Sequence, residues 1–181
     1  MKDVLIVVDM QNDFVTGALG SAEAVAALPG VVERARRALA DGERLIFTLD
    51  THGADYLSTH EGKQLPVVHC VRGEPGWELA LGLKELSAAA ELIEKPAFGS
   101  TELAHRLASE AAAAGLDSGR GLTIELCGVC TDICVVSNAL MLRAALPEAE
   151  LRVRAELCAG VTPERHAAAL EVMRACQIDV I

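Results

Sequence analysis

Val4-Leu5-Ile6-Val7-Val8-Asp9 decides the fold: five aliphatic residues in a row stop at a carboxylate. An unbroken run of this kind suits a strand covered on both faces, because a strand with one wet face would alternate apolar and polar residues. Working outward, Leu45–Leu49, Glu91–Ile93, Leu122–Cys127, Leu151–Glu156 and Gln177–Ile181 read as further strands. The segments between them carry helical periodicity. Pro29–Ala40 places Val31, Val32, Ala35 and Leu39 on one face and Arg34, Arg36 and Arg37 on the other. Thr101–Ala114 turns Leu103, Leu107 and Ala111 inward, Ile133–Ala145 ends before Pro147, and Pro163–Ala175 opens with proline in its first turn. Strands alternating with helices imply right-handed βαβ units, hence an α/β fold with a mostly parallel, Rossmann-like sheet between helical layers.

The chain has 181 residues, 51% of them apolar and 23% charged, which excludes a disordered polymer and suits one domain spanning 1–181. Its 26 acidic and 16 basic side chains leave a net charge of −10, the wrong sign for neutralising phosphates, so no nucleic-acid partner is expected. No run approaches the length of a membrane span, and the apolar stretch before Asp9 is too short for a signal-peptide core. The six cysteines are therefore expected as reduced thiols in a cytoplasmic protein. With only Phe14, Phe47, Tyr56, Trp77 and Phe98 as aromatics, the core is built from Ala, Leu and Val.

Ligands of parallel sheets sit beyond the carboxyl ends of the strands. That rule selects Asp9, Asp50, Lys95 and the Gly128–Cys134 turn, all expected just after strands. In Cys127-Gly-Val-Cys130-Thr-Asp132-Ile-Cys134, four readings stand side by side. The CxxC pair Cys127/Cys130 is a redox or binding motif, the three thiols are a metal site, Cys134 is a single nucleophile, or all three are core residues. On the nucleophile reading, Asp132 caps the next helix and Cys134 lies in its first turn, where free N–H groups favour a thiolate. Asp9 and Lys95 add weight to that reading. Charges at buried strand ends need partners, and a carboxylate, an ammonium and a thiol on neighbouring strand ends make one reacting centre.

The long segment from Asp50 to Pro75 shows little periodicity, and loops of that length are usually functional. It carries Asp50, His52, Glu61 and His69, nitrogen and oxygen donors suited to zinc, iron or manganese, with His60 as a rival to Glu61. His105 and His166 are expected as solvated helix residues, and Trp77 as packing at the loop base.

Val8-Asp9-Met10-Gln11-Asn12-Asp13-Phe14, Glu94-Lys95-Pro96-Ala97-Phe98 and Gly128-Val129-Cys130-Thr131-Asp132-Ile133-Cys134-Val135 together resemble the isochorismatase-like cysteine hydrolases, with the nicotinamidases as the nearest branch. The resemblance covers essentially the whole chain. It implies a three-layer α/β/α fold with a six-stranded sheet, and Asp9, Lys95 and Cys134 as the catalytic triad. It further implies a cis peptide before Cys130 and an oxyanion hole from the N–H groups of Cys130 and Cys134. Phe14 and Phe98 match pocket aromatics. Asp50, His52, Glu61 and His69 match the ligands of a divalent metal, zinc first, with iron or manganese as alternatives, which grips the ring nitrogen of the substrate. The implied activity is hydrolysis of a small amide through a thioester, nicotinamide first. The alternatives are a ureido or carbamoyl compound, or a non-enzymatic thiol protein using Cys127 and Cys130. Self-association is expected, as in many of these hydrolases. One departure concerns the ring: Leu65-Pro66-Val67-Val68 stands where nicotinamidases commonly place a stacking aromatic before the last metal histidine.

Overall fold

A computed structural model describes residues 3–181; the first two residues of the expected 1–181 span lie outside the described residues. Six strands, β1 (Val4–Val8), β2 (Arg44–Asp50), β3 (Glu91–Lys95), β4 (Thr123–Val129), β5 (Glu150–Ala159) and β6 (Asp179–Val180), form one sheet in the order β3-β2-β1-β4-β5-β6. Every pairing is parallel. Helices α1 (Asn12–Val15), α2 (Ala22–Ala40), α3 (His60–Gln64), α4 (Thr101–Ala113), α5 (Val136–Ala145) and α6 (Pro163–Ala175) complete a three-layer α/β/α sandwich. All five residues of β1 are buried, which is why its sequence does not alternate. Among the described residues no helix is long and apolar enough to cross a membrane.

Several boundaries depart from those expected, each for a local reason. Helix α2 starts at Ala22 rather than Pro29. Ser21 is its N-cap, accepting the Ala24 N–H at 3.0 Å, and Pro29 lies inside the helix. The missing proline N–H would have served the carbonyl of Val25, an exposed residue whose carbonyl can bond water instead. Arg34, expected on the outer face of this helix, instead bonds Glu125 and Glu43. Strands β2 and β3 each run one or two residues further than expected, so Asp50 and Lys95 are their last residues and stand in register with each other. The segment after Asp50 is not structureless: it contains a 3₁₀ turn at Tyr56–Ser58 and the helix α3.

The join between β1 and β4 fixes where the chemistry can happen. Val8 is paired with Gly128, whose φ is +114°, and a Cβ there would lie 2.2 Å from the Val8 carbonyl oxygen. Only glycine permits this approach, which brings the end of β4 against the end of β1. The chain then passes through a cis peptide bond between Val129 and Cys130. It enters a π-helical turn, Thr131–Val135, which runs straight into α5. The helical path thus begins two residues before Ile133, with the Val135 N–H reaching back to the Cys130 carbonyl at 3.1 Å.

Candidate active site

Asp9, Lys95 and Cys134 come from three strand ends or their turns and meet in the buried interior. Lys95 Nζ lies 2.6 Å from Asp9 Oδ2, 3.5 Å from Cys134 Sγ and 3.1 Å from the Ala97 carbonyl. Asp9 has φ +48°, a left-handed conformation that a short polar side chain tolerates better than a branched one. Its second oxygen accepts the Thr48 hydroxyl at 2.6 Å. Oδ2 faces the Lys95 ammonium at 2.6 Å. Burial raises the Asp9 carboxyl above its ordinary range against the pull of Lys95. Burial also raises the Cys134 thiol, with the Asp9 charge adding to it and Lys95 opposing it. For Lys95, burial works against the charge, but Asp9, Cys134 and Asp50 outweigh it and hold the ammonium.

Lys95 Nζ also reaches Asp50 Oδ1, at 3.4 Å, and so touches a second constellation. One donor atom each from Asp50, His52, Glu61 and His69 lies within 4.8 Å of the others, a cluster with the make-up of a metal centre. His52 Nε2 is 2.9 Å from Asp50 Oδ2, His69 Nε2 is 3.4 Å from it, and both lie 3.8 Å from Glu61 Oε1. His69 Nδ1 is 2.8 Å from the Val67 carbonyl; an N–H donated there leaves the Nε2 lone pair facing the cluster. The donor set fits a divalent cation: two imidazole nitrogens and two carboxylates, with Lys95 as the positive charge already present. Burial pushes the Asp50 carboxyl up, but hydrogen bonds from the two histidines and the charge of Lys95 hold it well below the usual range. His60, the rival to Glu61, is exposed and outside the cluster.

Both constellations open onto one cavity of about 440 Å³ with a mainly apolar lining. Phe14, Phe98, Cys130, Cys134, Asp50, Glu61 and His69 all line it. Phe14 meets the His69 ring edge-on at 5.5 Å, while Phe98 is 47% exposed and stands at the rim. Leu65 is the lining residue from the segment 65–68, and no aromatic replaces it.

Two sequence expectations, those for Asp132 and His166, need correction. Asp132 does not cap the following helix; it sits within the π turn, and its carboxylate accepts the Val161 N–H at 2.9 Å. Cys127 is fully buried in β4 and does not line the cavity that Cys130 lines. All six cysteines are free. His166 is not simply solvated: its Nδ1 lies 2.8 Å from the buried Thr131 hydroxyl, at the start of the π turn. His105 is exposed, and Trp77 braces the loop base through a 2.9 Å bond to Thr51.

The structure adds residues that sequence reasoning passed over. The Gln11 side chain accepts the Asp50 N–H at 2.8 Å and donates to the Asp50 carbonyl at 2.9 Å, clamping the backbone of the residue that both constellations share. Asp13 accepts the Cys70 N–H and Asn12 donates to the Pro75 carbonyl, so the polar half of the VDMQNDF block ties down the long loop. Asn138 donates to the Cys134 carbonyl at 2.8 Å and accepts the Ser100 N–H at 3.0 Å, joining the π turn to the N-cap of α4. Tyr56, fully buried, packs its ring 4.6 Å from His52 and 5.0 Å from His69.

Comparison with known proteins returns a consistent answer. The isochorismatase domain model matches residues 3–181. Nicotinamidase/pyrazinamidase of Mycobacterium tuberculosis is 29% identical over 188 residues, covering 98% of this chain and 97% of that protein. Nicotinamidase of Schizosaccharomyces pombe is 29% identical over 208 residues, covering 98% of this chain and 91% of its own. The crystal structure of pyrazinamidase of Pyrococcus horikoshii in complex with zinc is 30% identical, covers 100% of this chain and 99% of that one, and superposes with a TM-score of 0.79.

Proposed function

The chain belongs to the isochorismatase domain family, and within it we propose a metal-assisted cysteine amidase that releases ammonia from a small amide, nicotinamide first. The observation that carries this reading is the convergence of Asp9, Lys95 and Cys134 beside the Asp50/His52/Glu61/His69 cluster, at the floor of one cavity. Cys134 Sγ attacks the amide carbon as its proton passes to Asp9. The backbone N–H groups of Cys130 and Cys134 hold the oxyanion. Asp9 returns the proton to the departing nitrogen, the C–N bond breaks, and ammonia leaves behind a thioester. Asp9 next takes a proton from water, whose oxygen attacks the thioester carbon. The acid is released and the thiol is restored. Lys95 stays an ammonium throughout and balances the charge moving between Asp9 and Cys134.

Asp50, His52, Glu61 and His69 would hold the metal, zinc first in view of the Pyrococcus relative, with iron or manganese as alternatives. When bound, it supplies a Lewis-acid contact for a ring nitrogen of the substrate. Phe14 and Phe98 supply aromatic surface on the cavity wall. A second reading keeps the same centre for a ureido or carbamoyl compound. It is favoured by Leu65 in place of a stacking aromatic, a difference worth about 0.5–1.5 kcal/mol to a ring. The reading extends to a one-domain cytoplasmic enzyme, supported by six free thiols, and to self-association, as in many of these hydrolases.

Elemental analysis combined with nicotinamide kinetics before and after chelation tests the proposal. Chelation and His52→Ala should each suppress ammonia release while a thiol alkylator still modifies Cys134. Full nicotinamidase activity in a metal-free protein would defeat the metal assignment. A metal-loaded protein inert to nicotinamide would move the substrate to the second reading.

A further inference from the structure

The π turn that carries Cys134 is held from two sides. On its own side, the Cys130 carbonyl accepts the N–H groups of Ile133 and Val135, each at 3.1 Å. On the other, the two residues that follow Cys130 are each bonded to the segment that opens α6. His166 Nδ1 lies 2.8 Å from the Thr131 hydroxyl, and the Asp132 carboxylate accepts the Val161 N–H at 2.9 Å. Gly160 stands between these two bonds: a Cβ there would lie 2.9 Å from His166 Cβ and 3.0 Å from Asp132 Oδ1. Its missing side chain lets the start of α6 close onto the turn. Thr131 is completely buried, and its hydroxyl has no other partner among the described residues. His166 is half-buried, and its own N–H is tied to the Thr162 carbonyl at 2.9 Å. It does not line the cavity. An apolar pair of the same shape would seal this contact about as well. What the polar pair adds is a fixed direction and distance for Thr131, and so for the peptide that joins it to Cys130.

We infer that His166 is a positioning residue: acting through Thr131, it fixes the backbone of Cys130, whose N–H forms one half of the oxyanion hole. It touches no reacting atom. Misplacing a group at the reacting centre by about 1 Å can slow a reaction on the order of a hundredfold, so a bond outside the cavity can govern kcat. Substrate capture does not pass through this link, and KM is left to the cavity wall and the metal cluster. This assignment rests on the amidase reading, and its test separates the two.

The test compares His166→Leu, which keeps the bulk, with His166→Asn, which returns a polar atom to the position of Nδ1. The substrate is nicotinamide, or N-carbamoylglycine if that is the amide turned over. His166→Leu should lower kcat about tenfold or more and leave KM within about twofold, and His166→Asn should restore most of the loss. Two probes show where the loss arises. Cys134 Sγ adds to the aldehyde carbon of pyridine-3-carbaldehyde, the C=O pair moves to oxygen and the thiol proton passes to Asp9, so the alkoxide of the adduct rests in the hole. Inhibition by this aldehyde should weaken in step with kcat. Iodoacetamide reacts by displacement of iodide and builds no charge on its carbonyl, so it should label Cys134 at the wild-type rate. Thr131→Val, nearly the same shape, removes the bond from its other end without depending on how His166→Leu folds, and should give the same pattern. The double variant should be no worse than the more impaired single one. Unchanged kcat in either folded variant, alkylation slowed as much as kcat, or losses that multiply in the double variant overturns the positioning role alone. Ammonia released from neither amide by folded, metal-loaded wild-type protein overturns the amidase reading, and the assignment falls with it.

Discussion

Two clusters of buried charge share this sheet, and they are built on opposite plans. In one, Glu125 on β4 receives Arg34 at 2.9 Å and Arg154 at 2.9 and 3.0 Å, while Arg34 grips Glu43 through two further bonds. Two carboxylates face two guanidinium groups, and the planar donors match the oxygens they meet. In the other, Lys95 has three protons and faces four acceptors: Asp9, Asp50, the Ala97 carbonyl and Cys134. Asp9, Asp50 and Glu61 carry more negative charge than Lys95 alone balances. The saturated cluster can only hold the fold together. The unsaturated one has places for a proton and for a cation, which is what the proposed chemistry requires.

That contrast breaks most visibly through function. Cys134→Ala should abolish amide hydrolysis, and Asp9→Asn, a residue that tolerates the positive φ, should lower kcat by at least about a hundredfold. Neither should lower the thermal midpoint much. If Asp9→Asn melts far below the wild type, the Asp9 cluster is a structural network like the other.

Glu125→Gln should do the reverse. Removing the charge leaves Arg34 and Arg154 competing for a neutral amide, and the expected loss is about 3 kcal/mol of unfolding free energy with kcat unchanged. The acid dependence sharpens the test. Burial raises the Glu125 carboxyl, but bonds from Arg154 and Arg34 outweigh it and the net shift is downward. Its stabilising contribution is therefore complete above the ordinary glutamate range and is lost as pH falls through the depressed folded value. The wild-type and Glu125→Gln melting curves should accordingly converge on acidification.

Asn138→Ala sits between the two plans, since it touches the Cys134 turn without belonging to the charge cluster. It should cost about 1–3 kcal/mol and lower activity moderately by loosening the Cys134 carbonyl and the Ser100 turn. The smallest effect belongs to His105→Ala on the exposed face of α4, within about 0.5 kcal/mol by chemical denaturation. A larger loss there would mean that the exposed histidine has a role that neither cluster explains.

What was legible in the sequence was what buried charge makes conspicuous. Asp9 stands out because it ends an apolar run, Lys95 because it is a charge at a strand end, and the metal cluster because donors of one chemistry crowd a single loop. What stayed hidden depends on partners far along the chain. Gln11 looks like an ordinary polar residue until Asp50, 39 positions away, is folded beside it. The Thr131–His166 link spans 35 positions, and the role expected for Asp132 failed because its true partner, Val161, lies 29 residues on. Arg34 and Glu125, 91 positions apart, gave no sign of their network. Capping rules and periodicity act over one or two turns of chain, so they find the elements and miss such clamps.

The close approach at Gly128 has a consequence for how this gene can vary. A library covering every position should return an almost empty column there, because alanine already drives its methyl group into the Val8 carbonyl and demands a backbone angle that L residues avoid. Gly62 should be nearly as intolerant for a different reason: a Cβ there would lie 2.0 Å from the Tyr56 carbonyl oxygen. Neither residue carries a functional group, yet one seats the turn bearing Cys134 and the other the loop bearing Glu61. In a survey of variants, both would be counted among the most constrained residues of the chain while contributing no atom to any reaction.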